Sequence, residues 1–174
     1  MQKEIIIITD INGIFDSEWM DHYVLPLEQD HSVKVYNSHE LGLIDTTVTS
    51  EKAIHEQFLN GGIDRAVHSL TERISSAFLV LGFSIGGLIA WKAALKNLKT
   101  EHLMALSSTR LRYEEERPDG RMQLFFGESD AFKPDQYWFD KMQVHYEIIP
   151  NQGHEVYKNM NWIPYFVRQI KEIT

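Results

Sequence analysis

The stretch AFLVLGFSIGGLIAWKAAL at residues 77–95 restricts the possible folds more tightly than any other part of the chain. Residues 77–81 form a short apolar run bounded by Gly82, the pattern of a parallel strand buried on both faces. From Gly87 onward the pattern changes. Leu88, Ile89, Trp91, Lys92 and Leu95 fall at helical spacing, while Ala90, Ala93 and Ala94 keep that helix slim enough to lie on a sheet. The chain must therefore pass from strand to helix within residues 82–86, and backbone crowded around Ser84 in this way calls for glycine.

The remaining segments repeat the alternation. Residues 5–9 read as a buried β-branched strand, residues 18–29 as an amphipathic helix that Ser17 or Asp16 could cap, and residues 32–36 as a second strand. Residues 50–59 and 63–75 read as helices broken by Asn60-Gly61-Gly62, a helical crossover to the strand before Ser84. Strands at 102–106, 122–126 and 143–149 follow, with helices at 134–142 and 155–173, the last broken or kinked at Pro164. This order predicts a three-layer α/β sandwich: a mostly parallel sheet of about six strands with helices on both faces. No repeat, linker or low-complexity tract divides residues 1–174, so one domain is expected.

Composition excludes several classes of function. The chain has 174 residues, 43% apolar and 11% aromatic, enough for a sizeable core. A formal charge of −8 and a pI near 5.4 argue against a nucleic-acid or anionic-membrane surface. There is no cysteine, hence no disulfide, thiolate metal site or cysteine nucleophile. No apolar run is long enough to span a bilayer, and the N-terminal isoleucines are too few for a signal-peptide core. A cytoplasmic protein is expected.

A serine on a tight strand-to-helix turn is lifted clear of the sheet beside the unpaired N–H groups of the next helix, where negative charge is favoured. A serine hydroxyl becomes nucleophilic only when a base takes its proton, and histidine serves as that base when a carboxylate fixes its tautomer. The chain offers Ser84 after the third strand, Asp130 after the fifth and His154 after the sixth. All lie at carboxyl ends of parallel strands and converge on one edge of the sheet. The loop after the first strand opens on the same edge, so backbone N–H groups of Ile11 or Asn12 can face Ser84. Glu128 competes with Asp130 for the acidic role, and the Gly-x-x-Asp spacing favours Asp130. His39, beside Glu40 just past the second strand, reads as a solvated loop histidine before a substrate contact. The other histidines have no ligand spacing, His154-Glu155 lacks the second histidine of a zinc motif, and no metal or other cofactor is expected.

Between the fourth and fifth strands only residues 107–121 are available, too few for a full lid, which predicts a shallow site or a short covering loop. Arg110 and Arg112 lie in this segment. They can read a carboxylate or phosphate on a substrate, although ion pairs with Glu114, Glu115 and Glu116 are the favoured use. Phe15, Trp19, Phe83, Phe132 and Trp138 supply aromatic surface near the expected pocket, which would suit an apolar group, but aromatics more often serve the core.

Gly82-Phe83-Ser84-Ile85-Gly86-Gly87, Gly127-Glu128-Ser129-Asp130 after a Leu-Phe-Phe strand, and Asn151-Gln152-Gly153-His154 before the final helix together resemble the α/β-hydrolase family. The resemblance covers essentially the whole chain. It implies Ser84 as nucleophile, His154 as base and acid, Asp130 as the orienting carboxylate, and an oxyanion hole formed by the N–H of Ile85 and, from the first loop, that of Ile11 before Asn12. The chain departs from the family in having Thr9-Asp10 where His-Gly is usual, which implies a different loop shape and brings a carboxylate that would oppose an oxyanion if it lay beside the nucleophile. It also lacks a cap and the N-terminal antiparallel strands of larger members. The expected function is a serine hydrolase acting on small-molecule esters or thioesters through an acyl-enzyme. Two alternatives stand beside it: an acyltransferase with the same residues, and a non-catalytic binding protein on a hydrolase scaffold. Oligomeric state is not legible.

Overall fold

The computed structural model describes residues 2–15 and 17–174. Its centre is built from the β-branched and leucine-rich runs. β1 (Glu4–Ile8) takes the four isoleucines, β2 is Ser32–Tyr36, β3 Ser76–Phe83, β4 Lys99–Leu106, β5 Arg121–Gly127 and β6 His145–Ile149. They form one sheet in the order β2-β1-β3-β4-β5-β6, with every pairing parallel. Parallel pairing requires a crossover between successive strands, and here helices supply the crossovers.

Because side chains alternate along a strand, each strand feeds two cores. Ile5, Ile7, Leu79, Leu81 and Phe83 pack toward α1 (Glu18–Glu28), while Ile6, Ile8 and Val80 pack toward the opposite layer. That second layer holds α2 (Ser38–Gly42), α3 (Glu51–Gln57), α4 (Ile63–Arg73), α5 (Ile85–Lys96) and α6 (Gln136–Met142). The last helix, α7 (Ile163–Ile173), returns to the α1 side and buries Phe166 and Ile170. The result is the expected three-layer arrangement. The chain moves from β1 outward to β2, then crosses back to β3 on the other side of β1. With right-handed crossovers, such a reversal sends successive connections to opposite faces and leaves a crevice at the carboxyl ends of β1 and β3.

Several boundaries differ from the sequence expectation. Residues 37–40, expected as loop, open α2, because the Asn37 side chain accepts the His39 N–H at 3.0 Å and caps it. The break at Asn60-Gly61-Gly62 is a wide turn, Phe58–Gly62, that links α3 to α4 with Gly61 at φ 96°. Residues 155–173 are not one kinked helix: a 3-10 turn at His154–Lys158 precedes α7, and Pro164 sits in the first turn of α7, where its missing N–H costs nothing. Gln143, at φ 50°, ends α6, so the sixth strand begins at His145. Ser17 occupies the cap position of α1 but donates its hydroxyl to Ile14 O at 2.8 Å instead of capping, while Asp16 lies outside the described residues. No helix among the described residues is long and apolar enough to cross a membrane.

Candidate active site

Ser84 stands between β3 and α5 at φ 49° and ψ −114°, backbone that an L-residue rarely adopts. Two contacts force the bend. A Cβ on Gly86 would lie 2.4 Å from Ile8 O, and one on Gly87 would lie 1.9 Å from Ser108 Oγ, so α5 can sit against β1 and β4 only with glycine at both positions. Ser84 N donates to Leu106 O at 2.8 Å, which pins the turn to β4. The Ser84 side chain makes no capping bond to α5, and its hydroxyl is left for other partners.

That partner is His154. Ser84 Oγ lies 3.1 Å from His154 Nε2, and His154 Nδ1 lies 2.7 Å from Asp130 Oδ2. Asp130 is almost wholly buried, and its Oδ1 also accepts the Phe132 N–H at 3.1 Å. Burial pushes its pKa up, but the bonds from His154 and Phe132 outweigh burial and hold it below the ordinary 3.8. An ionised Asp130 can only accept, so the Nδ1–H of His154 donates to it and Nε2 is the ring nitrogen turned to the Ser84 hydroxyl. Glu128 is turned elsewhere: its Oε2 accepts the Asn151 N–H at 2.9 Å and braces the turn that carries His154.

The loop after β1 comes to the same place, and Ile11, Asn12, Ser84, Ile85 and His154 line one cavity of about 910 Å³. Asp10 shapes this loop. Its Oδ1 accepts the Asn12 N–H at 3.0 Å, which removes Asn12 as a free donor, while Ile11 N has no acceptor among the described residues. Asp10 Oδ2 accepts the Tyr157 hydroxyl at 3.0 Å and lies 3.1 Å from Lys158 Nζ. Burial, with the Asp10 charge next, raises the Tyr157 pKa well above the usual phenol value, so Tyr157 is a neutral donor. Burial works against the charge of Lys158, yet bonds from Glu155 and Asp10 raise its pKa and keep it cationic. The carboxylate that the sequence placed as a threat to an oxyanion is therefore neutralised by Lys158 and committed to structure.

His39 is not solvated. It is 3% exposed, and its Nε2 lies 2.5 Å from Ile11 O, so it holds the carbonyl side of the peptide unit that follows Ile11. Ser38 adds a second tie, donating its hydroxyl to Asp10 O at 2.6 Å. Sequence reasoning did not single out Tyr157, Lys158 or Ser38.

The two arginines differ from expectation and from each other. Neither makes the ion pairs expected with the neighbouring glutamates; Glu114 binds Lys92 Nζ at 2.9 Å instead. Arg112 is fully engaged, donating to Thr109 O and Phe132 O and lying over the Tyr113 ring. Arg110 lines the cavity with Ser84, and its buried Nε has no partner among the described residues. Of the five aromatics, only Phe132 lines that cavity. Trp19 and Phe83 pack edge to face at 4.8 Å in the core on the α1 side, and Trp138 packs against Trp91 in the other layer. The segment between β4 and β5 contributes one 3-10 turn, Thr109–Tyr113. No group of three or more His, Cys, Asp or Glu side chains among the described residues is arranged to hold a metal ion.

No family model and no curated protein sequence matches the chain. Solved structures do. A protein of Xanthomonas campestris pv. campestris assigned to the alpha/beta superfamily of hydrolases superposes with a TM-score of 0.73 at 14% identity, over 99% of this chain and 98% of its own. The monoacylglycerol lipase of Paleococcus ferrophilus gives 0.62 at 13% identity, over 97% of this chain and 92% of its own. The RedJ thioesterase of the prodiginine biosynthetic pathway in Streptomyces coelicolor gives 0.62 at 10% identity, over 99% and 90%. With a six-stranded parallel sheet, helices on both faces and structural likeness spanning nearly its whole length, the chain has the α/β-hydrolase fold.

Proposed function

We propose that the chain, acting as one domain, is a serine hydrolase that cleaves small-molecule esters or thioesters through an acyl-enzyme. The observation that carries this reading is the line of contacts Ser84 Oγ to His154 Nε2 at 3.1 Å and His154 Nδ1 to Asp130 Oδ2 at 2.7 Å. In this reading Ser84 Oγ attacks the substrate carbonyl as its proton passes to His154 Nε2, and Asp130 supports the imidazolium that forms. The N–H groups of Ile85 and Ile11 stabilise the oxyanion, helped by the N-terminus of α5. His154 then protonates the departing alcohol or thiol. A water that gives its proton to His154 cleaves the acyl-enzyme, releasing the acid and restoring Ser84. The lipase and thioesterase among the structural neighbours support ester and thioester chemistry. The commitment of Asp10 to Tyr157 and Lys158 favours catalysis over a binding scaffold whose oxyanion loop has been disabled.

The test is labelling of the folded protein with a fluorophosphonate probe. Labelling of the wild type, lost in Ser84→Ala and in His154→Ala, is the expected result. A folded wild-type protein that takes no label and hydrolyses neither p-nitrophenyl acetate nor an acyl-thioester would overturn the proposal.

A further inference from the structure

Most charged side chains around the Ser84 cavity are already occupied within the protein. Asp130 is bound to His154, Glu155 to Lys158, and Arg112 to the carbonyls of Thr109 and Phe132. Lys52, largely exposed, lies 3.9 Å from Glu56, and Glu51 beside it adds a carboxylate to the lining. Arg110 differs from these. It is half-buried in the cavity wall, its Nε is shut off from solvent, and none of the hydrogen bonds or ion pairs among the described residues reaches its guanidinium. Its guanidinium lies 5.1 Å from the Tyr113 ring, set on the same side of the 3-10 turn by the three-residue repeat. The turn itself is firmly held, with Leu111 fully buried and Leu111 N donating to Ser108 O at 3.1 Å. A guanidinium cannot lose its proton to escape burial, so a fixed, partly desolvated one without an acceptor invites an anion from outside.

We propose that Arg110 binds a carboxylate carried by the substrate, so that the esters or thioesters attacked by Ser84 are those with an acid group elsewhere in the molecule. This rests on the hydrolase reading above. The guanidinium fork matches a carboxylate in two parallel N–H···O bonds. A lone guanidinium without an ion pair, in a cavity that the Glu51 carboxylate also lines, suits a singly charged group better than a phosphate dianion. In a chain of net charge −8, an unpaired cation in the same cavity as the nucleophile also offsets part of the repulsion that an acidic substrate meets elsewhere.

The experiment compares half-esters of dicarboxylic acids with neutral esters of similar length. The mono-p-nitrophenyl esters of succinate, glutarate and adipate are assayed against p-nitrophenyl butyrate and valerate with wild type, Arg110→Gln and Arg110→Lys. At least one half-ester should exceed its neutral counterpart in kcat/KM by about tenfold or more, as a charge-assisted bond implies. That ratio should fall to about one in Arg110→Gln and recover in part in Arg110→Lys. Separately, Ser84→Ala should bind monomethyl glutarate in calorimetry, and the double variant with Arg110→Gln should not. Equal rates on acidic and neutral esters in the wild type would overturn the carboxylate site and leave the hydrolase standing. Arg110-dependent binding of monomethyl glutarate without hydrolysis of any ester would overturn the hydrolase and leave the site standing.

Discussion

The hydroxyl of Tyr157 donates to the Asp10 carboxylate across 3.0 Å, joining the loop after β1 to the turn after β6. One of these segments carries the Ile11 N–H and the other carries His154, so the bond ties a proposed oxyanion donor to the proposed base. Asp10→Ala would leave the Tyr157 hydroxyl and the Lys158 ammonium without their shared partner and is expected to destabilise the fold by about 3 kcal/mol. Tyr157→Phe keeps the Asp10–Lys158 pair and should cost about 1 kcal/mol. Urea unfolding of the two variants, read beside their kcat on an activated ester, checks this ranking.

Asp130 gives a pH signature. Its pKa is held below the ordinary 3.8 in the folded state, so ionised Asp130 contributes stability that is fully present above about pH 3.8 and is lost as pH falls through the depressed folded value. The gap in melting temperature between wild type and Asp130→Asn should therefore narrow as the solution is acidified into that window. A gap that stays constant from pH 6 to pH 3 would contradict the assignment.

Strain at Ser84 should be visible in stability. Alanine keeps the cost of φ 49°, whereas glycine relieves it. Ser84→Gly is expected to be more stable than Ser84→Ala by about 1 kcal/mol, with both devoid of esterase activity. Thermal denaturation of the pair separates strain from chemistry, because neither variant carries the proposed nucleophile.

Gly86 is constrained by space and not by its backbone angles. An added methyl would meet Ile8 O at 2.4 Å and Thr9 O at 2.5 Å, atoms of the sheet that cannot swing aside. Gly86→Ala should cost about 2 kcal/mol through overpacking and should also lower activity by moving the loop after β1. The same substitution at Gly153, where the nearest side-chain atom would be 3.7 Å away, is expected to be far milder. Chemical denaturation of the two variants tests the contrast.

The sequence made the turn at Ser84 legible because its cause is local: an apolar strand, crowded glycines and a slim helix leave the backbone little choice. The placement of Ser84, Asp130 and His154 at strand ends followed from simple alternation, since parallel strands present their carboxyl ends to one edge. Other parts could not be read. The Asp10–Tyr157 bond spans 147 residues and leaves no periodic trace. α2 is a five-residue helix, too short to show a hydrophobic repeat, which concealed the burial of His39. Arg110 and Arg112 share a charged segment in sequence and both line the cavity, yet the fold commits Arg112 to carbonyls and leaves the Arg110 Nε without a partner among the described residues.

The brief connection between β4 and β5 also bears on the fate of an intermediate. It adds a single 3-10 turn to the wall of a cavity of about 910 Å³, with no helical lid of its own to close over Ser84. With only that turn and the α3 residues Glu51, Lys52 and His55 bordering it on these sides, an acyl group held there is expected to be reached by water, by far the most abundant acceptor, which would claim it first. Partitioning toward an added alcohol or amine should then rise in simple proportion to its concentration, with no plateau of the kind that a dedicated acceptor pocket would impose.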